Sequence, residues 1–229
     1  MVQGLQSFPF ENHIVIIGWS SRVSTIIEEL VIANESEKSS KILLVSNFSR
    51  EDLENKIRDY IKPTKKTKLF WRSRKLDTDE TFKNINLMGA RRVIILGDEG
   101  ESQQLSRLKA TIAMHNFLDH VTISKNISIL VEVDDSAESD CIIAASKGQA
   151  TPVILSHLAG RLIGQAVFQP NLTSVYEELL SFRGNEFYIE KSAEAYGISG
   201  LTFLAASTHF SSCIIIGFIT MDLTVHINP

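Results

Sequence analysis

Short β-branched runs recur along this chain, each followed by a stretch of helical periodicity, and that alternation leaves few folds open. His13 to Gly18, Lys41 to Ser46, Lys68 to Arg72, Arg92 to Gly97 and Ile127 to Val133 read as strands. Helical patterns lie between them near residues 22 to 33, 49 to 61, 78 to 86, 101 to 118 and 136 to 147. Strands that are apolar at consecutive positions need cover on both faces, and helices between successive strands supply it. The pattern predicts an α/β fold, a Rossmann-like doubly wound parallel sheet, whose ligands bind at the carboxyl ends of its strands.

Local chemistry agrees with these boundaries. Ser49 precedes Arg50-Glu51-Asp52, which resembles a capping box that uses aspartate, while Thr78 precedes Asp79-Glu80 with Thr81 in place of the acid. Acids in those first turns suit the positive end of the helix dipole.

After Thr151-Pro152 the pattern changes. Ser156 to Phe168 is one long helix with Leu158, Leu162, Ile163 and Ala166 on one face and glycines at 160 and 164. Small residues four apart admit a close neighbour, and packing on its own sheet and contact with another subunit both fit. Gln169-Pro170-Asn171 ends that helix, and a second runs from Leu172 to Phe182. The stretches FYIEK, TFLAAS and CIIIGFITMDLTVHINP then predict a small β-rich C-terminal lobe. The expected division is 12–155 for the sheet lobe, 156–183 for the helical element and 184–229 for the last lobe. That lobe stops abruptly at Asn228-Pro229, and we expect it to continue in the natural protein.

The opening loop has one of the three glycines of a dinucleotide fingerprint. Gly18 is present, while Ser20 and Val23 stand where glycines would allow close pyrophosphate approach and tight helix packing. The helix start still offers amides to an anion, with Ser20, Ser21 and Arg22 beside it. At the end of the second strand Asn47 replaces the acid that would bind a ribose diol.

Taken together, HIVIIGWS with LVIANES, then WRSR, GARRVIIL, ISILVEVDD and the stretch from Gly160 to Glu190 resemble the cytosolic domain of CASTOR/POLLUX-type ion channels. These fall in the wider class of domains that regulate potassium conductance, called RCK or TrkA-N. The resemblance runs from about His13 to Pro229. It implies a Rossmann-like lobe, a helical crossover that dimerises and a carboxyl lobe, assembled as a ring of homo-oligomeric domains on the cytoplasmic face of a membrane. The interface would then include Leu158, Gly160, Leu162, Ile163, Gly164 and Val167.

Ligands are implied by the same resemblance. Calcium is one and nucleotides, in some members, another. Glu132 and Asp134 fall on calcium-binding positions after the fifth strand, while the fourth-strand acid is replaced by Gly97, with Asp98 one place on. The nucleotide or anion loop would comprise Gly18, Trp19, Ser20, Ser21, Asn47 and Arg72, although Arg74 replaces the small residue that comes after the Arg-Ser pair in the family. The resulting expectation is a regulatory, gating-ring domain of a cation channel, acting on a pore segment of the same or a separate chain. A stand-alone TrkA-like subunit of a potassium transport system is the alternative. A divergent nucleotide-dependent oxidoreductase ranks third, behind both, because of the lost glycines and the missing acid.

Composition narrows the rest. A net charge of −4 leaves no footprint for nucleic acid. Lys62, Lys65, Lys66, Lys68, Arg72, Arg74 and Lys75 gather positive charge around the third strand, as a solvated flank or a seat for an anion. Cys141 and Cys213 lie in apolar runs, where a thiol is expected to pack as a small hydrophobe in a reducing compartment. The six histidines show no metal spacing, and no nucleophile elbow, Walker loop or zinc-protease motif occurs, so no catalytic residue is predicted.

Overall fold

A computed structural model describes residues 7–37, 39–62, 66–75, 79–99, 102–120, 127–190 and 193–229. Thr78 and Lys65, singled out above, lie outside the described residues. The chain divides into two compact units, residues 1–185 and 186–229.

The larger unit is built on β1 (His13–Ile17), β2 (Ser40–Ser46), β3 (Thr67–Ser73), β4 (Ala90–Ile95), β5 (Ser128–Val133) and β6 (Ala150–Ile154). They form one parallel sheet in the order β3-β2-β1-β4-β5-β6. The order reverses between β1 and β4, which is where a doubly wound fold opens its ligand crevice. The helices are α1 (Val23–Ala33), α2 (Arg50–Tyr60), α3 (Asp79–Asn84), α4 (Gln103–Asp119), α5 (Ser136–Ala145), α6 (Leu155–Phe168) and α7 (Leu172–Leu180).

Strand periodicity sorts the core into two layers. Val15, Ile17, Leu43 and Val45 point to the face covered by Phe82 of α3, Met114 and Phe117 of α4 and Ile142 of α5. Their neighbours Ile14, Ile16, Ile42 and Leu44 point to the other face, against Val23 and Ile27 of α1 and Leu53 of α2. Every residue of β1 is buried, which is why the run is apolar without alternation. Each such side chain contributes about 1.5–3 kcal/mol on leaving water.

The predicted cap on α2 is present: the Asp52 amide donates to Ser49 Oγ at 3.1 Å, and Ser49 Oγ donates to the Asp52 carboxylate at 2.6 Å. Three expectations need correction. β6 is a sixth strand where the sequence showed only a boundary; Pro152 is tolerated because β6 is an edge strand, paired on one side. Cys141 and Cys213 are both exposed, since an apolar run need not turn every side chain inward. The segment TFLAAS is helical, not extended.

That segment belongs to the smaller unit and forms α8 (Phe203–Ser207), started by Thr202, whose Oγ1 accepts from the Ala205 amide at 3.3 Å. Phe187 to Glu190 joins no strand. Among the described residues the β structure of this unit is one antiparallel pair, β7 (Gly217–Ile219) and β8 (Val225–Ile227), with Phe218 stacked on His226 at 4.8 Å. No helix among the described residues is long and apolar enough to cross a membrane.

Candidate functional site

Gly18 follows β1 and meets the carboxyl ends of β2 and β4. Its φ of +91° lies in the left-handed region, and a Cβ there would come 2.0 Å from the Leu96 carbonyl oxygen. The Gly18 amide donates to the Val45 carbonyl at 2.8 Å, so the turn is sewn to β2 as it leaves β1. Trp19 and Ser20 are buried, and Lys56 lies 5.4 Å over the Trp19 ring while paired with Glu99 at 3.0 Å. Ser21 is exposed.

Two bridges of charge and hydrogen bonding cross this end of the sheet. On one side Asp98, just past β4, is buried and accepts from Ser46 Oγ at 2.6 Å and from the Asn47 amide at 3.1 Å. It thereby reaches over β1 to β2, and lies in a loop rather than in the first turn of α4, which begins at Gln103. The Asn47 contact uses the backbone, and its side chain is exposed.

On the other side Arg22, at the start of α1, bonds the carboxylate of Glu132 on β5. Arg107 of α4 is completely buried and grips Glu138 of α5 through Nε and Nη2, both at 2.7 Å. Its Nη2 also meets Asp134 at 2.7 Å, and its Nη1 stands 3.9 Å from Glu132. The hydrogen bond to Glu132 raises the pKa of Arg22 against a smaller pull from burial. For Arg107 burial pulls downward most strongly, but the bonds to Glu138 and Asp134 together win and the net direction is up. Both guanidinium groups are therefore fixed charges.

Of the residues assigned to calcium, Glu132 and Asp134 face arginines while Asp98 faces Ser46 and Asn47. Among the described residues no group of three or more His, Cys, Asp and Glu side chains is placed to hold a metal ion. Arg72 donates to the Asn84 carbonyl at 2.7 Å and sits over Phe8; burial, then the charge of Arg74, lowers its pKa. Sequence reasoning missed Arg107 and Glu138. Their signal was a lone arginine on the stripe formed by Ala110, Thr111 and Met114, the buried face of α4.

A second feature lies on α6 and α7, which bury no residue. Leu158, Ile163 and Val167 are 56%, 63% and 71% exposed, and Gly160 and Gly164 have open space where a Cβ would stand. Leu162 instead turns inward, lining a groove with Thr25 and Glu29 of α1 and Tyr176 and Leu180 of α7. Glu29 ties the end of α7 to α1 by accepting from the Phe182 amide at 2.9 Å. The helix pair is thus anchored along one side and leaves an apolar, glycine-lined face uncovered.

A family model described as Castor and Pollux, part of voltage-gated ion channel, matches residues 156–229. The ion channel CASTOR of Lotus japonicus is 27% identical over 191 residues, and the probable ion channel POLLUX of Arabidopsis thaliana is 25% identical over 220. The chain is similar to the CASTOR/POLLUX ion channels. The two alignments cover 82% and 95% of it but only 22% and 26% of the channels' own length. A solved structure of the human SLO3 gating ring is also similar, with a TM-score of 0.49 and 12% identity over 80% of this chain and 31% of that one. The matched CASTOR/POLLUX relatives are named as channels and not as enzymes. The uncovered α6 face falls inside the segment that the family model matches, and the charged cleft outside it.

Proposed function

We propose that this chain is a regulatory domain of a CASTOR/POLLUX-like cation channel, seated on the cytoplasmic face of the membrane and assembling with copies of itself. The division is the one expected from the sequence: a Rossmann-like lobe over 12–155, a dimerising crossover over 156–183 and a carboxyl lobe from 184. The observation that carries the proposal is the exposed face of α6. Ile163 and Val167 share one side of the helix with the two open glycines and form an exposed apolar strip there, of the kind that marks a protein contact. Gly160 and Gly164 let a second helix approach closely.

Coupling to a pore would work by linkage. Any ligand or ring geometry favoured in one assembled state shifts the pore equilibrium by its differential affinity and by no more. A chimera tests this: Lotus japonicus CASTOR carrying this chain in place of the segment it matches, recorded with and without Ile163→Asp. A conductance in the chimera that the substitution alters supports regulation through α6. A conductance indifferent to the charge contradicts it.

A further inference from the structure

β3 is an open edge of the large sheet. It runs for seven residues beside β2 and, among the described residues, has no strand on its other side. The opposite edge, β6, carries Pro152, which has no amide hydrogen to offer, whereas β3 contains no proline. Backbone groups of a parallel strand alternate between its two sides. The Arg74 amide donates to the Ser46 carbonyl of β2 at 2.9 Å, so Phe70 and Arg72 also turn their groups to β2, and Leu69, Trp71 and Ser73 turn theirs outward. Among the described residues these outward groups meet no other strand. The Trp71 side chain beside them is 36% exposed.

Charge decides which strand this edge can take. Residues 66–75 hold five basic side chains and no acidic one, in a chain whose net charge is −4. Lys66 donates to the Glu35 carbonyl at 2.7 Å, but Lys68, Arg74 and Lys75 have no acidic partner among the described residues. Lys68 stands directly opposite Lys41 in the register with β2, and Arg72 feels the charge of Arg74. Like charges held opposite each other are destabilising. A second copy of β3 on this edge would add more charge of the same sign, so the basic residues reject self-pairing. An acidic strand relieves the repulsion instead.

We propose that the outer edge of β3 takes up an extended acidic segment of a partner protein as an added strand. Lys68, Phe70, Arg72 and Arg74 share one face of β3, so the segment carries acids opposite Lys68, Arg72 and Arg74 and an apolar residue opposite Phe70. Its backbone pairs with Leu69, Trp71 and Ser73. A bilayer of anionic lipid would meet the charges but leave those backbone groups without a ladder, and this favours the peptide. Strand addition at β3 needs no contact through α6, so it can fail while the regulatory reading stands, and the reverse.

The test is fluorescence anisotropy of the labelled peptide Glu-Thr-Val-Thr-Glu-Thr-Glu, and of the same peptide in reverse order, titrated with the full chain. One of the two binds at submillimolar concentration, according to whether the added strand is parallel or antiparallel. Replacing each Glu by Gln weakens binding by roughly tenfold, the worth of a few exposed ion pairs. A peptide with Pro-Pro at its centre cannot form the ladder and loses binding by at least as much. On the protein, Lys68→Gln with Arg74→Gln, both exposed, weakens the parent peptide by about fivefold. The peptide substitutions leave the protein untouched, so they decide the matter by themselves if that variant does not fold. Equal binding of the parent and Pro-Pro peptides makes the edge a plain polyanion contact and overturns strand addition. Binding to phosphatidylserine vesicles with no binding of either peptide makes it a membrane contact, which overturns it too, as does the absence of any binding at millimolar peptide.

Discussion

Arg107 on α4 and Glu138 on α5 are joined by two parallel hydrogen bonds of 2.7 Å, with both side chains buried. The fork fixes the angle between the two helices and orients the whole acidic end of β5, because Glu138 also accepts from the Asp134 amide at 2.8 Å. A buried ion pair contributes little over a well-packed apolar replacement, but removal of one partner strands the other. Arg107→Met is therefore expected to cost about 3–5 kcal/mol. The leg to Asp134 adds little, since Asp134 is 59% exposed. Urea denaturation at neutral pH measures the loss, and a cost below ~1 kcal/mol would show that water satisfies Glu138.

Gly18 carries two demands at once, a left-handed φ and contact with the Leu96 carbonyl. Gly18→Ala meets backbone, which cannot rotate away as a side chain can. We expect a loss of at least ~2 kcal/mol from these combined effects. Thermal unfolding of the variant beside Gly148→Ala separates them. Gly148 also has a positive φ, but open space surrounds it, so that variant bears the conformational cost alone.

Asp119 provides a pH signature. The hydrogen bond from Lys147, at 2.7 Å, is the main force holding its carboxyl below the ordinary value of 3.8, with nearby His115 adding to it. A group depressed in the folded state stabilises above its unfolded pKa, and that contribution is lost as pH falls through the folded value. Asp119→Asn should therefore lower stability at pH 7 and converge on wild type in strong acid. Denaturation curves for both proteins from pH 7 down to about pH 2 check the convergence; a constant difference would remove Lys147 as the cause.

Most of the sheet was legible because its strands are buried on both faces and so announce themselves as runs, as Ile14 to Ile17 and Ile42 to Val45 do. β6 was not, because Pro152 is a breaker everywhere except at an edge, and edge position is a property of the assembled sheet. The Ser49 cap was legible from four consecutive residues. The charged cleft was half legible: Glu132 and Asp134 stood out as acids at a strand end, but their partner Arg107 lies well before them in the chain, on a different element. TFLAAS misled because Thr202 and Phe203 are strand-favouring residues, whereas here Thr202 caps a short helical turn that continues through Ala205 and Ala206.

Sedimentation equilibrium of the chain at micromolar concentration, for wild type and for Leu158→Glu with Ile163→Glu, asks directly whether α6 meets a second copy. Those side chains are exposed in the single chain, so the double variant is expected to keep wild-type thermal stability per folded chain. We predict a dimer or larger assembly for wild type and a monomer for the variant. A wild-type chain that sediments as a monomer up to about a hundred times that concentration would contradict the proposed interface.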